Sequence, residues 1–313
     1  MTVRLRRWHR LAISAVAVAI LLIFIPVGSL LTAMGRVPAG TLALSLTVFL
    51  AGHVAAAMKW RLLQGRETGL PILTTVRAHF SGVLANFWLP GVVGGDLVRV
   101  GVVFRQSSRP AAIALASLVD RVVDSAALLL LALIGLVAIR GPAHDARLAF
   151  QAIVATGTAG LLVLCGAYWL LTKRAGHARF AQLHEAVDLL ARRPFAVLGA
   201  FVMSACIQTA FILVNEQLGR SVGVHTSTAV WFMAWPLSKL VALAPISAAG
   251  IGIREAAIVM LMRPFGTSPE AVMASSLLWQ ALLFSGGVIG WGLLSFAPFV
   301  PVIGREALQP SRE

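Results

Sequence analysis

The feature that most constrains this sequence is a series of long apolar runs with few or no charged residues. The first run covers residues 11–34. Its 24 residues exceed the roughly 20 that an α-helix needs to cross about 30 Å of hydrocarbon. Further runs of this kind predict membrane spans at about 38–58, 111–139, 148–171, 195–217 and 270–298. The pattern therefore predicts an all-α polytopic membrane protein with about six full transmembrane helices, in one integral membrane domain over residues 1–313.

The composition supports this class and excludes others. Charged residues make up 12% of the chain and hydrophobic residues 58%, whereas soluble domains contain about 25% charged residues. The net charge of +14 arises from basic residues that flank the apolar runs, which is typical of membrane topology rather than of nucleic-acid binding. The two cysteines, Cys165 and Cys206, lie inside apolar runs without metal-ligand spacing. We therefore expect no nucleic-acid partner, no metal site and no cofactor.

Two apolar stretches, 72–104 and 226–262, are interrupted by glycine and proline. Each is too short and too broken for two good crossings, so we interpret each as a re-entrant helical hairpin. Non-helical backbone is not tolerated against lipid, so the breaks must face protein or a wet cavity. The predicted backbone breaks are Pro90, Gly94, Gly95, Pro245, Gly250 and Gly252.

The distribution of basic residues predicts the orientation in the membrane. Four arginines precede the first run, which we expect to be a retained helix rather than a cleaved signal peptide because more spans follow it. Counted with both termini in the cytoplasm, most Lys and Arg residues lie inside, Lys59 at the end of the second span among them. Trp60 and Trp231 lie near span ends, as an interfacial aromatic belt predicts. The interpretation is a multi-pass protein of the bacterial inner membrane.

The two broken stretches resemble each other. Each has Pro, then Gly five residues later, then Arg four residues after that. Three full crossings separate the two, so they would enter from opposite faces. This predicts an inverted repeat of halves at about 11–139 and 148–298, as in secondary transporters whose broken helices form the binding site. The repeated positions are Pro90, Gly95, Arg99 and Pro245, Gly250, Arg254.

Charged residues inside membrane segments are costly and tend to be functional. Spacing places Asp96 and Arg99 on one helix face. Asp120, Arg121 and Asp124 share an arc of the third span, where Arg121 can pair with Asp124 and Asp120 with another arginine such as Arg99. Two interpretations remain open: internal salt bridges that lock the hairpins to the spans, or arginines that hold a lipid phosphate. The remaining candidates are Lys239, Arg254 and Glu255 around the second break, with Asn86 as a polar residue at membrane depth.

The histidines in or beside apolar runs allow two interpretations. His53, His79 and His225 are of this kind. We interpret them as packing residues rather than as a proton relay.

Three segments in order carry a family resemblance: ANFWLPGVVGGDLVR (85–99), ASLVDRVVD (116–124) and APISAAGIGIRE (244–255). Together they resemble the lysylphosphatidylglycerol synthase transmembrane region, the flippase-type domain of the multiple peptide resistance factor. The resemblance implies a stand-alone relative that moves a lipid between leaflets. Bifunctional members carry a following aminoacyl-transferase domain, and the chain to Glu313 shows none, so lipid aminoacylation is not implied. The family pattern falls here on Asn86, Pro90, Gly95, Asp96, Arg99, Arg121, Asp124, Gly250, Gly252, Arg254 and Glu255.

The leading hypothesis is therefore a lipid translocator in which Arg99, Arg121 and Arg254 hold an anionic phosphate. Membrane lipids, an anionic phospholipid above all, are the expected partners. An integral-membrane enzyme acting on a lipid-linked phosphate or sugar is the alternative, although no Walker A, HExxH or GxSxG motif is present. A non-transporting accessory subunit is a third hypothesis. The sequence leaves open whether the chain forms homo-oligomers or associates with another membrane protein.

Overall fold

The computed structural model describes residues 35–86, 93–104, 106, 107, 109–139, 191–242 and 253–295, together with 28, 32, 187 and 188. Over these residues the protein is helical, with no strand. The helices are α1 (Ala39–Gln64), α2 (Ile72–Ala85), α3 (Val93–Phe104), α4 (Pro110–Ala138), α5 (Pro194–Ser221), α6 (Thr228–Val241), α7 (Ile253–Met262) and α8 (Pro269–Ser295). Short 3₁₀ turns at Arg66–Thr68 and Arg263–Phe265 follow α1 and α7.

Four of the described helices, α1, α4, α5 and α8, are long and apolar enough to cross a membrane. They confirm the spans predicted at 38–58, 111–139, 195–217 and 270–298. The spans predicted at 11–34 and 148–171 lie outside the described residues. Three of these helices begin with a proline, at Pro110, Pro194 and Pro269. Proline suits the first helical turn because the N–H that it lacks has no partner there.

Large apolar side chains on the long helices point outward. Val137 on α4 is 84% exposed and Phe195 on α5 is 85% exposed. Such a surface would be unfavourable in water but is suited to lipid acyl chains, since a helix that is hydrophobic all round is typical of a membrane span. The protein is therefore a multi-pass membrane protein.

Each of the two broken stretches contains two short helices. In the first, α2 packs against α3, and in the second, α6 packs against α7. At about 1.5 Å per residue, a helix of 14 residues extends only about 21 Å and falls short of the hydrocarbon thickness. The connecting residues 87–92 and 243–252 lie outside the described part of the chain, and with them the predicted breaks Pro90, Pro245, Gly250 and Gly252.

The described helices repeat as two sets of four. Helices α5, α6, α7 and α8 begin 155–160 residues after α1, α2, α3 and α4, in the same long, short, short, long order. The packing follows the same rule: α4 packs on α6 as α8 packs on α2, and α1 on α4 as α5 on α8. Helices α1 and α5 also pack on each other.

Two glycines allow close helix packing, one in the pair α4–α6 and the other in the corresponding pair α8–α2. A Cβ atom on Gly135 of α4 would lie 2.4 Å from the Met233 nitrogen of α6. A Cβ atom on Gly290 of α8 would lie 2.2 Å from the Phe80 ring of α2. Small residues at helix contacts are the usual means of close packing in membranes, where no hydrophobic force drives helices together.

Candidate functional site

A cavity of about 220 Å³ lies between the helices. Every one of the eight described helices contributes to its wall, which is mixed polar and apolar. A polar space of this kind inside a membrane bundle is the usual place for a substrate or ion site. The polar contributors include His53 (α1), His79 (α2), Arg99 (α3), Asp120 (α4), Gln208 (α5), Lys239 (α6), Arg254 (α7) and Gln280 (α8).

The structure brings the predicted site residues together. Eight of the nine charged or polar candidates line the cavity, and the ninth, Glu255, lies behind the wall in contact with Arg254. The eight are Asn86, Asp96, Arg99, Asp120, Arg121, Asp124, Lys239 and Arg254.

Asp120 compensates two cations from neighbouring helices. Its Oδ2 accepts a hydrogen bond from Arg99 Nη2 at 2.8 Å, as the sequence predicted. Its Oδ1 lies 3.0 Å from Lys59 Nζ. All three side chains are at least 95% buried, so this ion pair system fastens α1 and α3 to α4 in a region of low dielectric constant.

Asp96 binds two guanidinium groups. Arg121 donates to both Asp96 oxygens, with Nη2 at 2.7 Å from Oδ1. Arg99 Nε lies 3.1 Å from the same Oδ1. The sequence placed Arg121 with Asp124 on its own helix, and that pairing is wrong. The carboxylate on α3 matches the planar fork of Arg121 in the bidentate geometry that arginine favours.

Lys59 is a site residue that the sequence reading missed. It was assigned to the cytoplasmic end of the second span, but α1 continues to Gln64 and Lys59 is 1% exposed. Its ammonium contacts Asp120 and Asp124, and Ser204 also donates to Asp124. Because two carboxylates compensate its charge, Lys59 can be buried among the helices. Helix α1 therefore continues past the end of the apolar run.

The aromatic-belt prediction is wrong for two tryptophans. Trp60 and Trp231 are fully buried. Trp60 Nε1 donates to Ser117 Oγ at 2.9 Å, and its ring lies 4.6 Å below the Arg99 guanidinium. A cation over an aromatic face is attracted by the ring quadrupole, so Trp60 orients the arginine that binds Asp120.

Asn86 holds the start of α3. Its Oδ1 accepts a hydrogen bond from the Gly95 N–H at 2.9 Å, which is one of the donors left free in a first helical turn. Gly95 also packs against the backbone of α2, since a Cβ atom there would lie 2.3 Å from the Gly82 oxygen. Gly94 lies in the same first turn of α3. The predicted break at Gly94 and Gly95 is therefore the first turn of α3. Because Gly95 has no side chain, this turn can approach the backbone of α2 closely.

The second half builds a related but different cluster. Arg254 Nη2 contacts Glu255 Oε1 at 2.8 Å, and Ser276 and Gln280 each donate to that oxygen at 3.2 Å. The Arg254 guanidinium lies 5.3 Å from the Trp235 ring. Each half therefore contains an arginine next to a tryptophan ring. Among the described residues, the cluster of the first half also contains two carboxylates from its long final helix, Asp120 and Asp124.

Lys239 differs from the other cations of the cavity wall. Its Nζ donates to Gln208 Oε1 at 2.9 Å, and it forms no ion pair with a carboxylate among the described residues. Gln208 is neutral, so the Lys239 charge is not compensated by direct contact. Buried cations without a carboxylate partner are unfavourable unless an anion is present.

Of the three histidines in or beside apolar runs, two lie on the cavity wall in contact with each other. His53 Nδ1 and His79 Nε2 are 3.1 Å apart, a hydrogen-bond distance between α1 and α2. His225 is exposed in the segment before α6. No spacing signal could have paired His53 with His79, because they lie on different helices.

Residues 7–290 match the family described as the lysylphosphatidylglycerol synthase TM region. The chain belongs to this family. A comparison with curated proteins finds no significant match. As a member of the lysylphosphatidylglycerol synthase TM family with membrane-spanning helices, the protein is an integral membrane protein of lipid metabolism or transport.

Proposed function

We propose that this family member moves an anionic phospholipid between the leaflets of the bacterial inner membrane. The observation that most directly supports this proposal is the charge of the cavity. Five cations line it: Lys59, Arg99, Arg121, Lys239 and Arg254.

Four carboxylates oppose these cations: Asp96, Asp120 and Asp124 on the wall and Glu255 in contact with Arg254. Counted over the described residues, one positive charge remains in excess. A lipid phosphodiester carries one negative charge and would complete the balance.

The contacts divide the cations by role. Arg99, Arg121 and Lys59 are held by carboxylates, so we assign them to fastening α1, α3 and α4. Lys239 contacts only the neutral Gln208, and the buried Nε of Arg254 has no hydrogen-bond partner among the described residues. Both belong to the second half. The phosphate would therefore bind between Lys239 and Arg254, rather than at all three arginines of the initial hypothesis.

The fold suits a transporter in which two related halves enclose one site. Both sets of four helices line the cavity, and the short helix pairs α2–α3 and α6–α7 supply most of its charged wall together with α4. We assign each short pair to a re-entrant hairpin and the two halves to an inverted repeat with both termini cytoplasmic. Movement of one half against the other would then open the site to either leaflet. The proposal assigns transport rather than catalysis.

Reconstituted liposomes test the proposal. Fluorescent phosphatidylglycerol is placed in the outer leaflet of phosphatidylcholine vesicles. The fraction of the label that an external quencher no longer reaches measures inward movement. We expect faster movement of phosphatidylglycerol than of an equally labelled phosphatidylcholine in vesicles that contain the protein. Equal leaflet exchange with and without protein, across phosphatidylglycerol and cardiolipin, would refute the function.

A further inference from the structure

The hydrogen-bonded histidines on the cavity wall have no part in the lipid site just described. His53 and His79 join α1 to α2 through nitrogens 3.1 Å apart. Both line the same cavity as Lys239. The other ring nitrogen of His79, Nδ1, is buried and has no hydrogen-bond partner among the described residues. A buried polar atom without a partner is costly, so this nitrogen calls for a functional explanation.

Two neutral imidazoles in contact carry two protons on four nitrogens, one of them in the shared hydrogen bond. In either tautomer a further proton can be added without breaking the contact. The shared hydrogen then lies between Nδ1 of His53 and Nε2 of His79, and each outer nitrogen carries one N–H. The charge of the added proton is spread over two rings rather than confined to one. The pair is thus built to accept one proton from the cavity and to release it again.

The surrounding charges connect this pair with the anion site. Those that act on the pair are Lys59 from α1, Arg99 from α3, Arg121 and Asp124 from α4, and Lys239 from α6.

The other charged groups on the wall are Asp96, Asp120 and Arg254, while α5 and α8 add the uncharged Gln208 and Gln280. With its one excess positive charge, the empty cavity opposes a proton on the histidines. Burial of both rings also opposes a charge on them. A bound phosphodiester neutralises the excess charge and removes the charge repulsion.

We propose that the His53–His79 pair takes up one proton when an anionic headgroup binds, so that lipid and proton cross together. The inference rests on the proposed translocation of anionic phospholipid and adds its coupling ion. The added charges cancel: one phosphodiester anion and one proton leave the occupied cavity with the same net charge as the empty one. Because the lipid anion and the proton cancel, and the empty cavity returns with the charge that it had, a complete transport cycle moves no net charge across the membrane and is not opposed by the membrane potential.

The test uses full-length protein in phosphatidylcholine vesicles that enclose a pH-sensitive dye, with the membrane potential clamped by potassium and valinomycin. Fluorescent phosphatidylglycerol is added to the outer leaflet. We expect the lumen to acidify by one proton for each lipid that moves inward, at a rate independent of the clamped potential. Labelled phosphatidylcholine serves as the neutral control and should acidify nothing.

Two variants retain the contact but cannot hold the added proton. Asparagine places an amide near the position of Nδ1 and glutamine near that of Nε2, so the variants are His53→Asn and His79→Gln. We expect both to lose the lipid-linked acidification, whereas the exposed control His225→Gln keeps it. A purely structural contact would leave acidification and its dependence on pH unchanged in these variants.

The outcomes separate the two proposals. Phosphatidylglycerol movement in the unaltered protein without any change of lumenal pH would overturn the coupling and leave the translocation intact. An absence of lipid movement at every pH would overturn the proposed function, and the coupling with it. Acidification that persists in both histidine variants would assign the proton to another group and also overturn the inference.

Discussion

Replacement of Asp120 by asparagine should destabilise the protein strongly, because one buried carboxylate compensates two buried cations. Its oxygens lie 2.8 Å from Arg99 Nη2 and 3.0 Å from Lys59 Nζ. At an effective dielectric constant of about 20, unit charges at such distances attract by roughly 5–6 kcal/mol. Desolvation offsets much of this attraction, and removal of one partner of a buried pair typically costs about 3–5 kcal/mol. Asparagine has nearly the same shape, so the substitution isolates the charge.

The assay is thermal unfolding of the purified variant in detergent, followed by tryptophan fluorescence. At roughly 2 °C per kcal/mol for a chain of this size, the midpoint should fall by about 6–10 °C. The matched control is Glu270→Gln, which removes an exposed carboxylate at the start of α8 and should shift the midpoint by less than about 1 °C. If Asp120→Asn has the same unfolding midpoint as the unaltered protein, the ion pairs do not fasten α1 and α3 to α4. The double variant with Arg99→Gln should lose less than the sum of the single losses.

Three further substitutions test local contacts. Gly95→Ala should separate α2 from α3 and reduce phosphatidylglycerol translocation, with overpacking costing about 1–3 kcal/mol, whereas Gly101→Ala on the same helix meets open space and should have no effect. Asn86→Ala should lower the unfolding midpoint modestly, because loss of a hydrogen bond to a first-turn N–H costs about 1 kcal/mol. Trp60→Phe should lower the midpoint and leave a buried hydroxyl on α4 unpaired, at about 1–3 kcal/mol; unchanged melting in either case would contradict the assigned contact.

The sequence predicted the long helices well because their signal is local. Apolar runs long enough to cross a bilayer specify α1, α4, α5 and α8 within a few residues, and glycine–proline interruptions indicated that 72–104 and 226–262 contain short helices. The largest boundary error is at the end of α1, which continues to Gln64 past Lys59. A hydropathy pattern ends the span at Lys59, because it contains no information about the carboxylates of α4 that compensate the lysine charge.

The site was predicted as a set of residues but not as a set of contacts. Membrane-embedded charge identified Asp96, Arg99, Asp120 and Arg254, because any such charge must face protein or water. Which carboxylate each cation meets depends on how the helices are rotated against each other, and helical spacing within one helix gave the wrong partner for Arg121. The neutral partner of Lys239 and the His53–His79 contact are likewise properties of the packed structure.

The central claim is that Lys239 supplies the uncompensated charge that binds the lipid phosphate. The direct measurement compares phosphatidylglycerol translocation by Lys239→Gln and Lys239→Arg in the same vesicles. Loss of a charge-assisted contact of about 1.5–3 kcal/mol should slow Lys239→Gln by roughly tenfold or more and reduce its preference for phosphatidylglycerol over phosphatidylcholine. Lys239→Arg should retain most of both. If Lys239→Gln moves phosphatidylglycerol at the unaltered rate with the same preference, the phosphate is not bound at Lys239 and the account is contradicted.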